Sequence, residues 1–242
     1  MTELYEKPIR ISIDREKLVV NGSEFKHKTR KLSEMKEVMK GDVDLELTGE
    51  QEMYYMYREV TGKNNIRYDI TIIPARIIEK EYNKTYGHYH PIAEGDLTYP
   101  EMYQVLLGNA VFILQKQNRN GSVDVKIISA TTGDIVLIPP RYGHVTINPS
   151  NKESLVLANL VSSAFDSNYQ EYKKNRGAAY YYLEGGELVQ NPQYIVQKTE
   201  RLTAKEMSKQ IKLPCRDLLK EFTENPDAFM FLEKPSIIFS RS

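Results

Sequence analysis

Several residue types are scarce in this chain, and each scarcity excludes something. Among the 242 residues there is no tryptophan and a single cysteine, Cys215. One thiol cannot close an intrachain disulfide, so the sequence reads as a protein of a reducing compartment, the cytoplasm. No apolar run approaches the roughly 20 residues that a membrane-spanning helix needs. The opening residues carry Glu3, Glu6, Lys7 and Arg10 without an apolar core, so they do not read as a signal peptide. Net charge is lacking as well, since 33 Lys and Arg balance 33 Asp and Glu. That balance gives no electrostatic footprint for nucleic acid or for an anionic membrane. Histidine is rare too, at four copies.

What is present suits a soluble globular chain, with 40% hydrophobic and 27% charged residues. The length fits one large domain, because all-β barrels reach this size undivided. Most of the 17 tyrosines fit strand and core positions. A tyrosine also offers an apolar ring and a polar tip, which suits a sugar or phosphate pocket.

The first 30 residues read as an extended arm, with Ile9, Ile11 and Ile13 alternating with polar residues and Asn21-Gly22 as a turn. The stretch 33–40 predicts a short helix with Ser33 as its N-cap. From Met53 to Ile73, Tyr, Val and Ile abound around a polar turn at Gly62–Asn65, predicting two strands. Strand patterning is clearest from Glu101 to Val161, with breaks at Gly108-Asn109, Asn120-Gly121 and Gly133-Asp134. Short strands at that spacing indicate a sandwich or barrel. After about residue 190, Leu202, Met207, Ile211, Leu218, Leu219 and Phe222 predict two short helices interrupted by Pro214. Phe229–Phe239 reads as one more strand.

Three histidines lie in two short segments. In Gly87-His88-Tyr89-His90, residues two apart on an extended strand point to one face. His88 and His90 then project together, roughly 6–7 Å apart, a workable pair of imidazole ligands for one cation. Glu101 opens the next strand run and is a natural third ligand. In the segment 133–148, a strand ends at Pro139-Pro140 and the chain returns with His144 at the start of the next. Each of these residues alone fits a surface or core position, and their joint occurrence carries the metal reading. His27, in a lysine-rich stretch, reads as a surface residue.

The first segment resembles the first cupin motif, in which His-x-His precedes a glutamate and a glycine follows seven positions later, as Gly108 follows Glu101. The second resembles the second cupin motif, with Gly133, Pro139, His144 and Asn148 in register. Two features differ: the interval from His90 to Glu101 is long, implying an enlarged loop 91–100 over the metal mouth, and Arg141 stands where glycine is common. More narrowly, the chain resembles the cupin-type phosphoglucose isomerases. The similarity runs through the arm Lys28-Thr29-Arg30-Lys31-Leu32-Ser33-Glu34-Met35 and the tyrosine strand Tyr54-Tyr55-Met56-Tyr57. It continues through Thr71, Thr85-x-Gly87-His88-x-His90, Glu101-Met102-Tyr103 and the Pro-Pro–His turn. A Pro-Gly turn of the family appears here as Ala75-Arg76, its tyrosine near Asn159–Val161 is absent, and the stretch 164–169 lacks its histidine.

The resemblance implies an all-β cupin jelly-roll barrel over residues 1–190, arm included, with a partly helical extension over 191–242. It implies one divalent metal, iron(II) first, with manganese, nickel, cobalt or zinc as alternatives, on His88, His90, Glu101 and His144. Tyr54, Thr71, Thr85, Gly87 and Tyr169 would hold a sugar phosphate, and Glu101 and Tyr103 would act on it. The implied activity is the glycolytic interconversion of glucose 6-phosphate and fructose 6-phosphate in a homodimer, without nucleic acid or membrane as partner. Other readings are a mannose-phosphate isomerase, an epimerase, an iron-dependent dioxygenase and a non-catalytic sugar-binding cupin.

Overall fold

The computed structural model describes all residues except 45, 47, 48, 211–215 and 240–242. The arm forms a small antiparallel sheet of β1 (Thr2–Tyr5), β2 (Ile11–Asp14), β3 (Lys17–Val20) and β4 (Ser23–Glu24). Asn21 and Gly22, both at positive φ, make the tight turn that a right-twisted hairpin favours. The sheet is fastened to the body: Ile11 and Leu18 are fully buried. The Tyr57 hydroxyl accepts the Leu18 N–H at 3.2 Å and donates to the Glu16 carbonyl at 2.9 Å.

β5 (Lys28–Lys31) leads into a helix at Leu32–Met35 and a 3-10 turn at Lys36–Val38. This corrects the predicted start at Ser33. The cap lies earlier, where the Glu34 carboxylate accepts the Lys31 N–H at 2.8 Å. Ser33 instead donates its backbone N–H to the Gly49 carbonyl.

The remaining strands follow in order: β6 (Glu52–Lys63), β7 (Ile66–Ile73), β8 (Ile77–Ile78), β9 (Glu81–Tyr82), β10 (Ile92–Glu94) and β11 (Leu97–Thr98). Then come β12 (Glu101–Leu107), β13 (Asn109–Gln117), β14 (Val123–Thr131), β15 (Ile135–Ile138), β16 (Tyr142–Ile147) and β17 (Leu155–Ser162). After a helix at Gln170–Lys174 come β18 (Tyr180–Leu183), β19 (Glu187–Gln190) and β20 (Val196–Thr203). The β6–β7 turn is tighter than predicted: Asn64 and Asn65 take positive φ while Gly62 and Lys63 stay paired with Arg67 and Ile66.

Two sheets make the barrel. One has the order β15-β12-β17-β7-β6-β5 and the other β16-β13-β14-β20. Their shared corner is short, because β15 at one edge passes through Pro139-Pro140 into β16 at the other. This is the jelly roll that the cupin resemblance implies. β17 is buried along its whole length, which a strand of alternating faces allows only if both sides are covered. Its second side meets the C-terminal segment, where Leu218, Leu219, Phe222 and Leu232 are buried.

The two predicted C-terminal helices are present at Ala204–Gln210 and Leu218–Glu224, the second capped by the Asp217 side chain, which accepts the Lys220 N–H at 3.1 Å. Ile211, Pro214 and Cys215 lie outside the described residues. The strand expected at Phe229–Phe239 is not formed. That stretch is covered by 3-10 turns at Pro226–Leu232 and Pro235–Ile237, because proline starts a helical turn readily and cannot donate to a ladder. β20 pairs in parallel with β14, so residues beyond 190 add a strand as well as helices. No helix among the described residues is long and apolar enough to cross a membrane.

A buried ion pair fastens the turn that follows the first helix to the barrel. Lys84 Nζ donates to Glu81 Oε1 at 2.5 Å and to the Val38 carbonyl at 2.7 Å, while Glu81 Oε2 accepts the Lys40 N–H at 3.0 Å. The side chains are 3% and 1% exposed. Removing one partner of such a pair leaves the other charge without compensation. Lys84→Met should therefore cost about 3–5 kcal/mol in urea unfolding, and Lys84→Met combined with Glu81→Leu should cost less than the single change. Equal stability of Lys84→Met and the unmodified protein would contradict this account.

Candidate metal centre and substrate pocket

Strand pairing brings the histidines together. The segment from Lys84 to His88 lies along the outer edge of β16, with Lys84 opposite Ile147. Thr85 N–H donates to the Thr146 carbonyl at 2.8 Å, and His88 and His144 exchange backbone hydrogen bonds of 3.1 and 3.0 Å. Residues directly opposite share a face, and the two imidazole centroids lie 4.4 Å apart. His90, two residues on, returns to that side with its Nε2 3.1 Å from that of His88. Gly87 makes the approach possible. It sits at φ +84°, and a Cβ there would come within 2.4 Å of the Tyr172 ring.

Glu101 arrives from the facing sheet at the head of β12. Its Oε1 accepts a 2.8 Å bond from Asn159 Nδ2 on β17. Its Oε2 lies 3.4 Å from His90 Nε2 and 3.3 Å from His144 Nε2, buried and without a hydrogen bond. His90 Nδ1 meets the Tyr99 carbonyl at 2.8 Å, which fixes the ring with its Nε2 lone pair turned to the cluster. One donor atom from each of His88, His90, Glu101 and His144 lies within 4.8 Å of all the others. Three ring nitrogens and an unsatisfied carboxylate oxygen facing one point are costly in a buried site unless a cation takes their lone pairs. The residues fit one divalent metal.

Electrostatics agree with that use. Burial, then the neighbouring imidazoles of His144 and His90, push His88 well below its ordinary value. Burial lowers His144 as well, against the pull of Glu101. Burial alone would raise Glu101, yet the His144 and His90 imidazoles beside it hold its carboxyl well below the usual range. Tyr103, pushed well above its ordinary value by burial and by the Glu101 charge, stays a neutral phenol 3.2 Å from His144 Nε2.

The cluster opens into a pocket that Tyr54, Thr71, Thr85, Gly87, Tyr103 and Tyr169 also line. The structure thus gathers every site residue read from the sequence at one place. Thr85 Oγ1 accepts the Thr146 N–H at 3.0 Å, and its own hydroxyl proton is available to a ligand. The long loop 91–100 is a hairpin of β10 and β11. Tyr99 at its end stacks on Phe165 at 4.6 Å, and Phe165 lies 4.6 Å from the His90 ring. Arg141, where the cupin pattern has glycine, adopts φ +73°. It is held there by its N–H on Thr98 Oγ1 at 2.6 Å and its ion pair with Asp96. His27 is exposed as expected, against the rings of Tyr55 and Tyr57.

Asn159, Arg58 and Arg67 also line the pocket and were not picked from the sequence. A signal existed for the arginines: Arg58 follows Tyr54 by four residues and Arg67 precedes Thr71 by four, so each shares its partner's strand face. Nothing in the sequence marks Asn159 as the group that orients Glu101.

Gly87→Ala combines a positive φ with a ring collision. It should lower stability by about 1–3 kcal/mol and weaken retention of a divalent metal, read by thermal unfolding and metal analysis. Wild-type values for both would show that the turn can relax.

Residues 25–198 match the family model described as glucose-6-phosphate isomerase. A glucose-6-phosphate isomerase of Thermococcus gammatolerans is 27% identical over 198 residues, which are 79% of this chain and 99% of the relative. One of Pyrococcus furiosus is 27% identical over 161 residues, 64% of this chain and 79% of its own. A solved cupin-2 domain containing protein from Shewanella frigidimarina aligns over 43% of this chain and 78% of its own, at 15% identity and a TM-score of 0.29, too loosely to inform the site. The matched span takes in both motif segments and all four clustered donors, and the chain belongs to the glucose-6-phosphate isomerase family.

Proposed function

We propose that this protein interconverts glucose 6-phosphate and fructose 6-phosphate at a single divalent metal held by His88, His90, Glu101 and His144. The observation that carries the reading is the buried convergence of those four donors in a pocket that also offers hydroxyl and backbone groups suited to a phosphate. When bound, the cation supplies a Lewis acid that polarises the carbonyl of the open-chain sugar. Iron(II) is the proposed ion, and the same donors accept manganese, nickel, cobalt or zinc.

The chain's own groups do the rest. Thr71, Thr85, Gly87, Tyr54 and Tyr169 grip the phosphate end through hydroxyls and backbone N–H groups. Glu101, kept ionised and aimed by Asn159, accepts the proton from C2 as that C–H electron pair forms the C1–C2 double bond. It then returns a proton to C1 as the enediol collapses to the ketone. Tyr103, a neutral phenol beside the cluster, gives a proton to O1 and takes one back from O2. In the same reading two copies pair through the N-terminal arm and work in the cytoplasm, in keeping with one cysteine in the whole chain.

A coupled assay of glucose 6-phosphate formed from fructose 6-phosphate tests this. Chelation should abolish turnover, and iron(II), manganese, nickel, cobalt or zinc should restore it. His144→Ala should lose metal and activity together with the fold kept, as read by circular dichroism. Thr85→Val should raise KM about tenfold while metal content stays near that of the unmodified protein. A folded, metal-loaded protein without turnover, or full turnover in His144→Ala, would sink the reading.

A further inference from the structure

The pocket has a cationic end that the isomerase reading does not use. Asp69 on β7 is fully buried. Its carboxylate accepts bonds from Arg58 Nη1 at 2.6 Å, Arg67 Nε at 2.8 Å and the Glu59 N–H at 2.7 Å. One carboxylate thus holds two guanidinium groups, and the trio keeps a net positive charge. Neutralising Asp69 would need one arginine, and the second leaves charge to spare. No hydrogen bond to another described residue engages the terminal nitrogens of Arg67, and beyond Asp69 Arg58 meets only the weak acceptor Met56 Sδ at 3.6 Å. The side chains are 39% and 23% exposed, and both line the pocket beside His88 and Glu101.

Position along the strands separates this end from the threonine end. Through β17, Arg67 lies level with Val161 and then Glu101, whereas Thr71 lies level with Leu157. Four residues of extended strand put their backbones about 13 Å apart, with Glu101 level with the arginine side. The arginines also line a groove outside the pocket, together with Lys28, Arg30 and Tyr169, the last of which borders both ends. Against these four cations stand Asp69, Asp166 in the groove wall, Glu34, which pairs with Arg30 at 3.2 Å, and Glu101, whose charge reaches Arg58 but is shared with the metal when one is bound. Guanidinium forks fixed by a buried carboxylate match the geometry of a phosphate dianion.

We propose that Arg58 and Arg67, braced by Asp69, form a second anion subsite that takes a phosphate at the outer end of the pocket, so that the site binds sugar bisphosphates. The inference rests on the isomerase reading in one respect, the placement of the first phosphate on the threonine end. A ketohexose 1,6-bisphosphate fits the two ends, and it cannot turn over because its C1 oxygen is esterified.

Calorimetry on the metal-loaded protein tests this with fructose 1,6-bisphosphate against glucitol 6-phosphate, which has one phosphate and no carbonyl. The bisphosphate should bind about tenfold more tightly, and Arg58→Met and Arg67→Met should each erase most of that margin. Arg67→Lys, which keeps a charge against Asp69, guards against loss of fold and should retain part of it. An unchanged margin in both methionine variants, or no margin in the unmodified protein, would overturn the subsite. Binding is read without turnover. An inactive protein that showed the margin and lost it in the variants would support the subsite while counting against the isomerase reading. An active protein without the margin would overturn the subsite alone.

Discussion

The two backbone hydrogen bonds exchanged by His88 and His144 set the geometry on which the rest of the site depends. They fix the register between a segment that is not part of either sheet and the edge strand β16. In a structure of period two, a slip of one residue would turn His88 and His90 outward and bring Tyr89 in. The register is held from behind as well as along its length. Asn83 donates to the carbonyls of Met53 and Pro74, and Lys84 reaches the carbonyl of Val38. The histidine-bearing edge is thereby tied to the turn at Lys36–Val38, to β6 and to the loop after β7.

The other half of the site comes from the facing sheet, and here polar groups sit inside an apolar barrel. Asp69, Asn159 and Tyr103 lie at one level on three neighbouring strands, each nearly fully buried. Such a row is tolerable because its members have partners: Asp69 has two arginines, Asn159 has Glu101, and Tyr103 has His144. The barrel supplies rigidity, and the row uses it to aim one carboxylate oxygen at the imidazoles.

Much of this was legible because the informative residues are local. His88 and His90 announce themselves by spacing, and the barrel strands by alternation between Gly and Asn turns. The cupin motif residues needed no knowledge of register. What escaped depended on register or on competition between local preferences. Asn159 matters only because β17 lies beside β12. Arg58 and Arg67 share faces with recognised residues, yet their partner Asp69 is meaningful only once β6 and β7 are aligned. The stretch 229–239 has the apolar content of a strand, but prolines at 226 and 235 open helical turns there. The helix expected at Ser33 begins earlier because Glu34 can reach back to Lys31, a contact that a search for a side-chain cap at serine misses.

β20 has a consequence for how copies of this chain can meet. By adding a parallel ladder to β14, from Val123 opposite Val196 to Ser129 opposite Thr203, it occupies the row of N–H and C=O groups that would otherwise end the second sheet. An unpaired row of that kind is a template for any other extended chain. The tail therefore acts as a built-in cover, and a chain cut after residue 195 would lose more than length. It would move the border of the second sheet from β20, where exposed Lys198 and Arg201 discourage pairing, back to the more apolar β14, an edge more open to accretion.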